Sequence, residues 1–342
     1  MEESVAGKKA LLLSLGEVRI EPRDGMPRKF SRSTAGPGAG GRSIAFGFNG
    51  ARVKLDVSND PATPVIFTSD NRLSIHGHGS VVHNARIAPI LLHCPGQAFV
   101  NLTPMCMYDC AFCATPQTPD RLAAKITDDT LFEAIMAASR DPAFESVAIT
   151  SGVTGSVNDT LKRMDKFVAR VRAALPHAPI GVEPYVTDPM WVDALRDSGA
   201  DEIKLNVEAA TPKLFRLACP ERERGDVISS LRRAVEVFGR GKVTSNIIFG
   251  LGETDGQALE CYRGLADIGV VPNLRALKVT DANRLRLKEA LGQKPVQPES
   301  GRMLSLAREG KKILEERGLT TLTFKTMCFP CQCCDIVPFR DV

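Results

Sequence analysis

The sequence predicts an α/β fold: a parallel sheet wrapped by helices, with a smaller β-rich domain in front and a cysteine-rich tail behind. Three observations carry this. From about residue 96 onward, short apolar runs alternate with stretches of helical periodicity, the pattern of βαβ units. Before that point the runs alternate apolar with polar residues and are separated by turn signals such as Asn49-Gly50. Seven of the ten cysteines fall in two tight groups, 106–113 and 328–334, the second of them in the tail. The divisions that follow are a β-rich domain over 1–95, the α/β unit over 96–325, and the tail over 326–342.

A chain of 342 residues, 43% hydrophobic and 25% charged, has ample apolar material for a core. Its net charge of +4 is too small to point to nucleic acid. Near the start only 10–15 is apolar, preceded by Lys8 and Lys9; it is too short for a membrane span, and no small-residue cleavage site follows. A cytoplasmic protein is expected. Asn101-Leu102-Thr103 has the form of a glycosylation acceptor, but proline follows it and no export signal accompanies it, so it is set aside.

In the first domain, 42–48 and 51–57 read as strands of one hairpin. The glycine-rich piece 35–41 lacks the lysine of a phosphate-binding loop and reads as a mobile turn or a lid over the active site. His76, His78 and His83 are close enough in sequence to suggest a metal or a substrate contact, but solvated loop histidines are the plainer reading.

In the α/β unit, strands are expected at 98–102, 146–150, 180–184, 202–207, 243–249 and 276–279. Helices are expected between them at about 127–139, 159–175, 190–198, 227–238 and 257–268. Thr127 caps the first of these, and Leu161, Met164, Phe167, Val168 and Val171 mark the apolar face of the second. An amphipathic helix over 298–317 and a closing strand over 319–324 complete the unit. In parallel barrels the chemistry gathers at the carboxyl ends of the strands, so Glu183, Asn206 and Glu208 are candidates for one mouth.

Cys106, Cys110 and Cys113 fall within eight residues. Three thiolates that close together converge on one centre, and thiolates favour zinc or iron–sulfur clusters over hard cations. The ten residues after Cys113 hold neither Cys nor His, so three protein ligands and one open position is the simpler reading than a closed zinc site. The tail offers Cys328, Cys331, Cys333 and Cys334, which can supply three or four thiolates to a second centre. An auxiliary 4Fe–4S cluster is preferred there, with zinc or merely clustered thiols as the alternatives. Cys94, Cys219 and Cys261 stand alone in sequence and read as small buried hydrophobes.

The spacing of Cys106, Cys110 and Cys113, with Phe112 before the third, resembles the signature of the radical S-adenosylmethionine (SAM) superfamily. That resemblance implies a partial (β/α)6 barrel of the TIM type. It also implies a 4Fe–4S cluster on the three cysteines, SAM on the fourth iron, and a 5′-deoxyadenosyl radical as the reactive species. An electron donor of the ferredoxin or flavodoxin type is implied with it. Further residues look suited to SAM: Phe112, then Ser151 and Gly152 after the second strand, though this turn departs from the usual Gly-Gly-Glu form. Asn206 and Glu208 resemble a ribose-binding pair of biotin synthase-like members, and alternation would put them on one face. Gly250, Gly252 and Glu253 are similar to a Gly-Leu-Gly-Glu turn of biotin synthase, where the glycines let backbone approach the ligand.

An auxiliary cluster in a biotin synthase-like barrel implies a sulfur donor, so the chain resembles lipoyl synthases. No cysteine precedes Cys94, so the N-terminal cysteine motif of the bacterial enzyme is missing. The chain looks more like one subunit of the two-protein lipoyl synthase of archaea and some bacteria. The implied partners are an octanoylated carrier protein, or else a small-molecule substrate, and a second radical SAM protein; neither nucleic acid nor membrane is expected. The alternative activity is rearrangement, methylation or cyclisation of a small molecule in cofactor biosynthesis.

Overall fold

A computed structural model of the chain describes residues 4–21, 31–32, 36–77, 79–117 and 126–342. It opens with helix α1 (Val5–Leu15), capped by Ser4, whose hydroxyl accepts from Gly7 N at 3.1 Å, and ended by Gly16 in the left-handed region. The apolar run over 10–15 is thus part of a helix that packs on the rest of the protein, not an isolated stretch.

An eight-stranded mixed sheet follows, of β1 (Glu17–Glu21), β2 (Ser31–Arg32), β3 (Arg42–Phe48), β4 (Ala51–Val57), β5 (Val65–Thr68), β6 (Arg72–Ile75), β7 (Gly79–Val82) and β8 (Arg86–Ile87). The expected β3–β4 hairpin turns at Asn49-Gly50, both with positive φ, as a tight two-residue connection requires. Strand β1 lies parallel between β4 and β5, and the other pairings are antiparallel. Alternate residues such as Ile44, Phe46, Val53 and Leu55 face one apolar core.

The second sheet is parallel and runs β9 (Gln97–Asn101), β10 (Ser146–Thr150), β11 (Ile180–Glu183), β12 (Glu202–Lys204), β14 (Val243–Phe249), β15 (Val271–Ala276). The short β13 (Glu208–Ala209) pairs with β14 beyond the point where β12 stops. Crossover helices α2 (Asp128–Ala138), α3 (Val157–Ala174), α4 (Met190–Asp197), α5 (Pro212–Ala218), α6 (Arg224–Phe238) and α7 (Asp255–Asp267) cover it, followed by α8 (Arg284–Leu291), α9 (Ser300–Glu316) and the single turn α10 (Cys328–Cys331). Thr127 caps α2 as expected, in a capping box with Thr130. The five apolar positions foreseen on α3 are all buried. Register aligns Asn101, Thr150 and Glu183, so the ends of the first three barrel strands share one rim.

The barrel does not close: β9 and β15 are both edges. The tail bridges them. Gln97 on β9 exchanges two hydrogen bonds with the Met327 backbone, at 2.9 and 2.8 Å, while Asn273 and Arg275 on β15 bind Asp335 at 2.9 and 2.7 Å.

Three elements differ from expectation. The last barrel strand is 271–276, not 276–279: Pro272 argues against a central strand, but at this edge its missing N–H is tolerated. The strand expected at 202–207 ends at Lys204, and Glu208 lies at φ 58, so simple alternation does not carry from Asn206 to Glu208. Residues 319–324 form turns rather than a strand; Leu319 and Phe324 are buried, but without a ladder partner. His76 and His83 lie exposed in turns, and His78 is outside the described residues.

Candidate active site

A cavity of about 350 Å3 opens at the carboxyl ends of the barrel strands. The loop carrying Cys106, Cys110 and Cys113 leaves β9 and forms one wall, and all three cysteines line the cavity together with Phe112. Close packing fixes the loop. Met107 N donates to Val153 O at 2.7 Å, Ala111 N to Ala218 O at 2.8 Å, and Ala114 N to Gly36 O at 3.1 Å. Arg286 on α8 pairs with the Asp109 carboxylate and donates to the Cys110 and Cys113 carbonyls, and Asn283 Nδ2 donates to Phe112 O at 2.9 Å. Gly152 is required here: a Cβ at that position would stand 2.0 Å from Met105 O.

The thiols have donors in place. Val153 N points at Cys106 Sγ at 3.5 Å, Thr115 N at Cys113 Sγ at 3.4 Å, and Arg222 Nη1 at Cys110 Sγ at 3.8 Å. The Cys219 thiol, and then Arg222, hold the Cys110 thiol below its usual range against the effect of burial, whereas burial pushes that of Cys113 up. Cys219 is buried in an apolar cluster, as expected, and that cluster also contains Cys110, so it neighbours the triad.

The cavity floor is a closed circuit of polar groups. Asn206 Nδ2 donates to Glu183 Oε1 at 2.8 Å, and its Oδ1 accepts from Asn246 N at 3.0 Å. Asn246 Oδ1 accepts from Asn273 at 3.0 Å, and Asn273 and Arg275 both bind Asp335. Arg275 reaches Cys328 Sγ at 3.4 Å, Lys204 reaches the same sulfur at 3.3 Å, and Lys204 returns to Glu183 at 3.1 Å. Burial raises the Glu183 carboxyl, but Lys204 and Asn206 outweigh it and hold the group below its usual range. Glu208 pairs with Arg222 at 3.2 Å, yet burial keeps its carboxyl above the usual range. The Arg222 guanidinium also stacks on the Tyr185 ring, 4.3 Å from its centroid.

Of the residues singled out from sequence, Ser151, Gly152, Asn206 and Glu208 line the cavity, as do Cys328, Cys331, Cys333 and Cys334. Gly250, Gly252 and Glu253 stand one layer back, outside the lining. There Glu253 accepts from Gly250 N at 2.7 Å and Leu251 N at 3.0 Å and pairs with Arg302 at 2.8 Å, so its carboxylate braces the turn. The 35–41 segment does reach the site: its Gly36–Gly38 turn lines the cavity and packs on the cysteine loop, Ala35 lying outside the described residues.

Arg222, Arg286, Asn283, Lys204, Arg275 and Asp335 carry no site signature in the sequence. A charged residue closing an apolar strand is the nearest to one, for Lys204 and Arg275; the others lie on loops and short helices with no local signature. Among the described residues no three Cys, His, Asp or Glu side chains already converge at metal-binding distance, so ligand sets are read from shared surroundings.

Residues 100–264 match the family model of the radical SAM superfamily. Solved structures are similar to this chain. The maturase HydG of the FeFe-hydrogenase matches with TM-score 0.51 and 14% identity, over 66% of this chain and 51% of its own. Methylornithine synthase PylB matches with TM-score 0.49 and 18% identity, over 63% and 61%. A radical SAM methyltransferase from Sphaerobacter thermophilus matches with TM-score 0.48 and 20% identity, over 64% and 63%. The chain thus spans between about half and two thirds of the length of these structures. No curated protein matches it. The cysteine loop at the mouth of an open parallel barrel and the match over residues 100–264, just under half of the chain, agree, and both liken this region to the radical SAM superfamily.

Proposed function

We propose that this radical SAM enzyme inserts sulfur at an unactivated carbon, with the tail cysteines holding an auxiliary cluster as the sulfur source. The observation that carries the reading is that both cysteine groups, 106–113 and 328–334, line one cavity. A sulfur source must face the carbon that loses its hydrogen, and a shared chamber meets that need.

The residues present fit the cofactors the family implies. Cys106, Cys110 and Cys113 offer three soft ligands, each with an N–H or guanidinium donor directed at its sulfur. When bound, the 4Fe–4S cluster and SAM supply the 5′-deoxyadenosyl radical. Phe112, Ser151, Gly152, Asn206 and Glu208 are then the contacts that hold SAM, while Gly250, Gly252 and Glu253 shape the wall behind. Arg286 and Asn283 keep the loop in one conformation, and the tail shields the floor from water. An electron donor of the ferredoxin or flavodoxin type completes the requirement.

In its finest form the reading is lipoyl synthesis on an octanoylated carrier, with a second radical SAM protein as partner. The charged floor of Lys204, Arg275, Glu183 and Asp335 favours a second reading, in which a small polar molecule is rearranged, methylated or cyclised. Reconstitution with 34S-sulfide followed by turnover with an octanoylated carrier separates the two. Product carrying 34S is expected. Formation of 5′-deoxyadenosine in the presence of a small polar substrate, with no 34S in any product, would overturn sulfur insertion and leave the second reading.

A further inference from the structure

We infer that Cys94, isolated in the linear sequence, is a ligand of the tail centre together with Cys331, Cys333 and Cys334, and that Cys328 is not. This deepens the reading of the tail as a cluster site and rests on it.

The grouping comes from the fold. Cys94, Cys331 and Cys333 are buried against Ala45 in one cluster, with Cys334 packed at its edge, and all four line the cavity. Cys331 is the member of this buried cluster that shares it with both Cys94, from the segment before β9, and Cys333, two residues further along the tail. Backbone contacts make this neighbourhood specific. Lys54 N on β4 donates to Cys333 O at 2.8 Å, and Arg52 donates to Pro330 O at 3.5 Å, so the tail is laid against the N-terminal sheet. Cys94 bridges to Gln97, the residue whose side chain clasps Met327, so one short segment fixes both Cys94 and the start of the tail. Met327 and Gln332 both hold positive φ, an unfavourable state for such side chains, and between them the chain turns sharply enough to bring Cys331 and Cys333 inward.

Buried cysteines often act only as small hydrophobes, and Lys54 is what argues against that here. Its ammonium faces this group. It meets His93 Nε2 at 2.9 Å, and because an ammonium only donates, that nitrogen is an acceptor and the ring brings no negative charge. Among the described residues Lys54 pairs with no carboxylate, although Lys204, Arg222 and Arg275 around the same cavity each have one. Lys54 is half-buried on the cavity wall, and a thiolate-bound cluster would supply the negative charge that no carboxylate among the described residues gives it. Cys328 is in a different position: Lys204 and Arg275, its two cationic neighbours, are already balanced by Glu183 and Asp335.

The test begins from the full chain carrying Cys106→Ala, Cys110→Ala and Cys113→Ala, reconstituted anaerobically with iron and sulfide. About four irons per chain, one 4Fe–4S cluster, are expected to remain. Adding Cys94→Ala is expected to lower this to fewer than about one, and adding Cys328→Ala to leave it at about four. Retention of iron in the Cys94→Ala protein, or its loss in the Cys328→Ala protein, overturns the ligand assignment alone. Absence of iron before Cys94 is touched overturns the cluster reading beneath it. Stoichiometric zinc that Cys94→Ala removes keeps the ligand assignment and overturns the sulfur source. Alkylation mapping of the unaltered holoprotein needs no variant to fold: Cys94, Cys331 and Cys333 are expected to be protected until iron is chelated, with Cys261 labelled equally before and after. Equal labelling of Cys94 in both states overturns the inference.

Discussion

At the scale of single residues, the site depends on groups that allow no substitute. Gly152 passes against Met105 so closely that a Cβ would lie 2.0 Å from its carbonyl oxygen and 2.9 Å from its carbonyl carbon. Both obstacles are backbone, so neither can swing aside. Gly152→Ala is expected to destabilise the protein by about 1–3 kcal/mol, the range for overpacking, and to displace the cysteine loop. Thermal denaturation together with iron content after reconstitution checks this; unchanged values in both would mean the approach is looser than described. Arg222 serves Glu208, Cys110 and the Tyr185 ring at once through a planar fork. Lysine has a single ammonium and cannot reach all three. Arg222→Lys is expected to slow SAM cleavage by about tenfold, corresponding to about 1.4 kcal/mol, the lower end of what a hydrogen bond to a charged group contributes. Measurement of 5′-deoxyadenosine formation at saturating SAM reads it, and an unchanged rate would leave Arg222 a packing residue.

At the scale of elements, the cysteine loop is held by a helix that lies far from it in sequence. Arg286 on α8 contacts Asp109 and two loop carbonyls, while α8 has its own apolar anchor in the buried Leu287. Arg286→Ala is therefore expected to leave helix content unchanged but to make the reconstituted loop cluster bleach several-fold faster in air, followed by absorbance near 400 nm. An unaltered bleaching rate would show that the loop is fixed without this brace. The contrast between loop and helix also marks what could be read in advance. The parallel sheet was legible because its periodicities are local: the apolar runs of β10 and β14 and the stripe of α3 announce themselves within a few residues. The cysteine triad was legible for the same reason. Alternation puts Asn206 and Glu208 on one face, yet β12 ends before them and Glu208 turns left-handed, which nothing in a Glu side chain foretells. Both still reach the cavity, Asn206 from the irregular stretch after β12 and Glu208 from the start of β13. Cys94 and Lys54 cannot be linked to the tail from sequence at all, since their proximity to Cys333 exists only once two sheets and 238 intervening residues or more are in place.

At the scale of the whole molecule, the two ends of the described chain are joined through a single buried ion pair. Lys9 on α1 and Asp341 meet at 2.6 Å, with side chains 0% and 1% exposed, and Asp341 also accepts from Val337 N at 2.7 Å. Around them α1 packs on α9 and β4, and Gln297 donates to the carbonyls of Leu13 and Ser14 at 2.9 and 3.0 Å. Removing one member leaves the other charge buried and unpaired. Lys9→Met is therefore expected to destabilise the protein by about 3–5 kcal/mol in urea denaturation, whereas Lys9→Met combined with Asp341→Leu recovers much of that loss because no charge is then stranded. The consequence extends beyond stability. Asp341 follows Asp335 and the cysteines by only a few residues, so loosening it releases the segment that forms the cavity floor. If the tail holds the cluster proposed above, its iron is expected to fall in Lys9→Met while iron on the 106–113 loop stays, since that loop is braced by α8 and the turn after β10 instead. Equal loss at both sites would mean that the pair supports the barrel as a whole; equal retention, with a stability change under about 1 kcal/mol, would mean that water reaches the pair in solution.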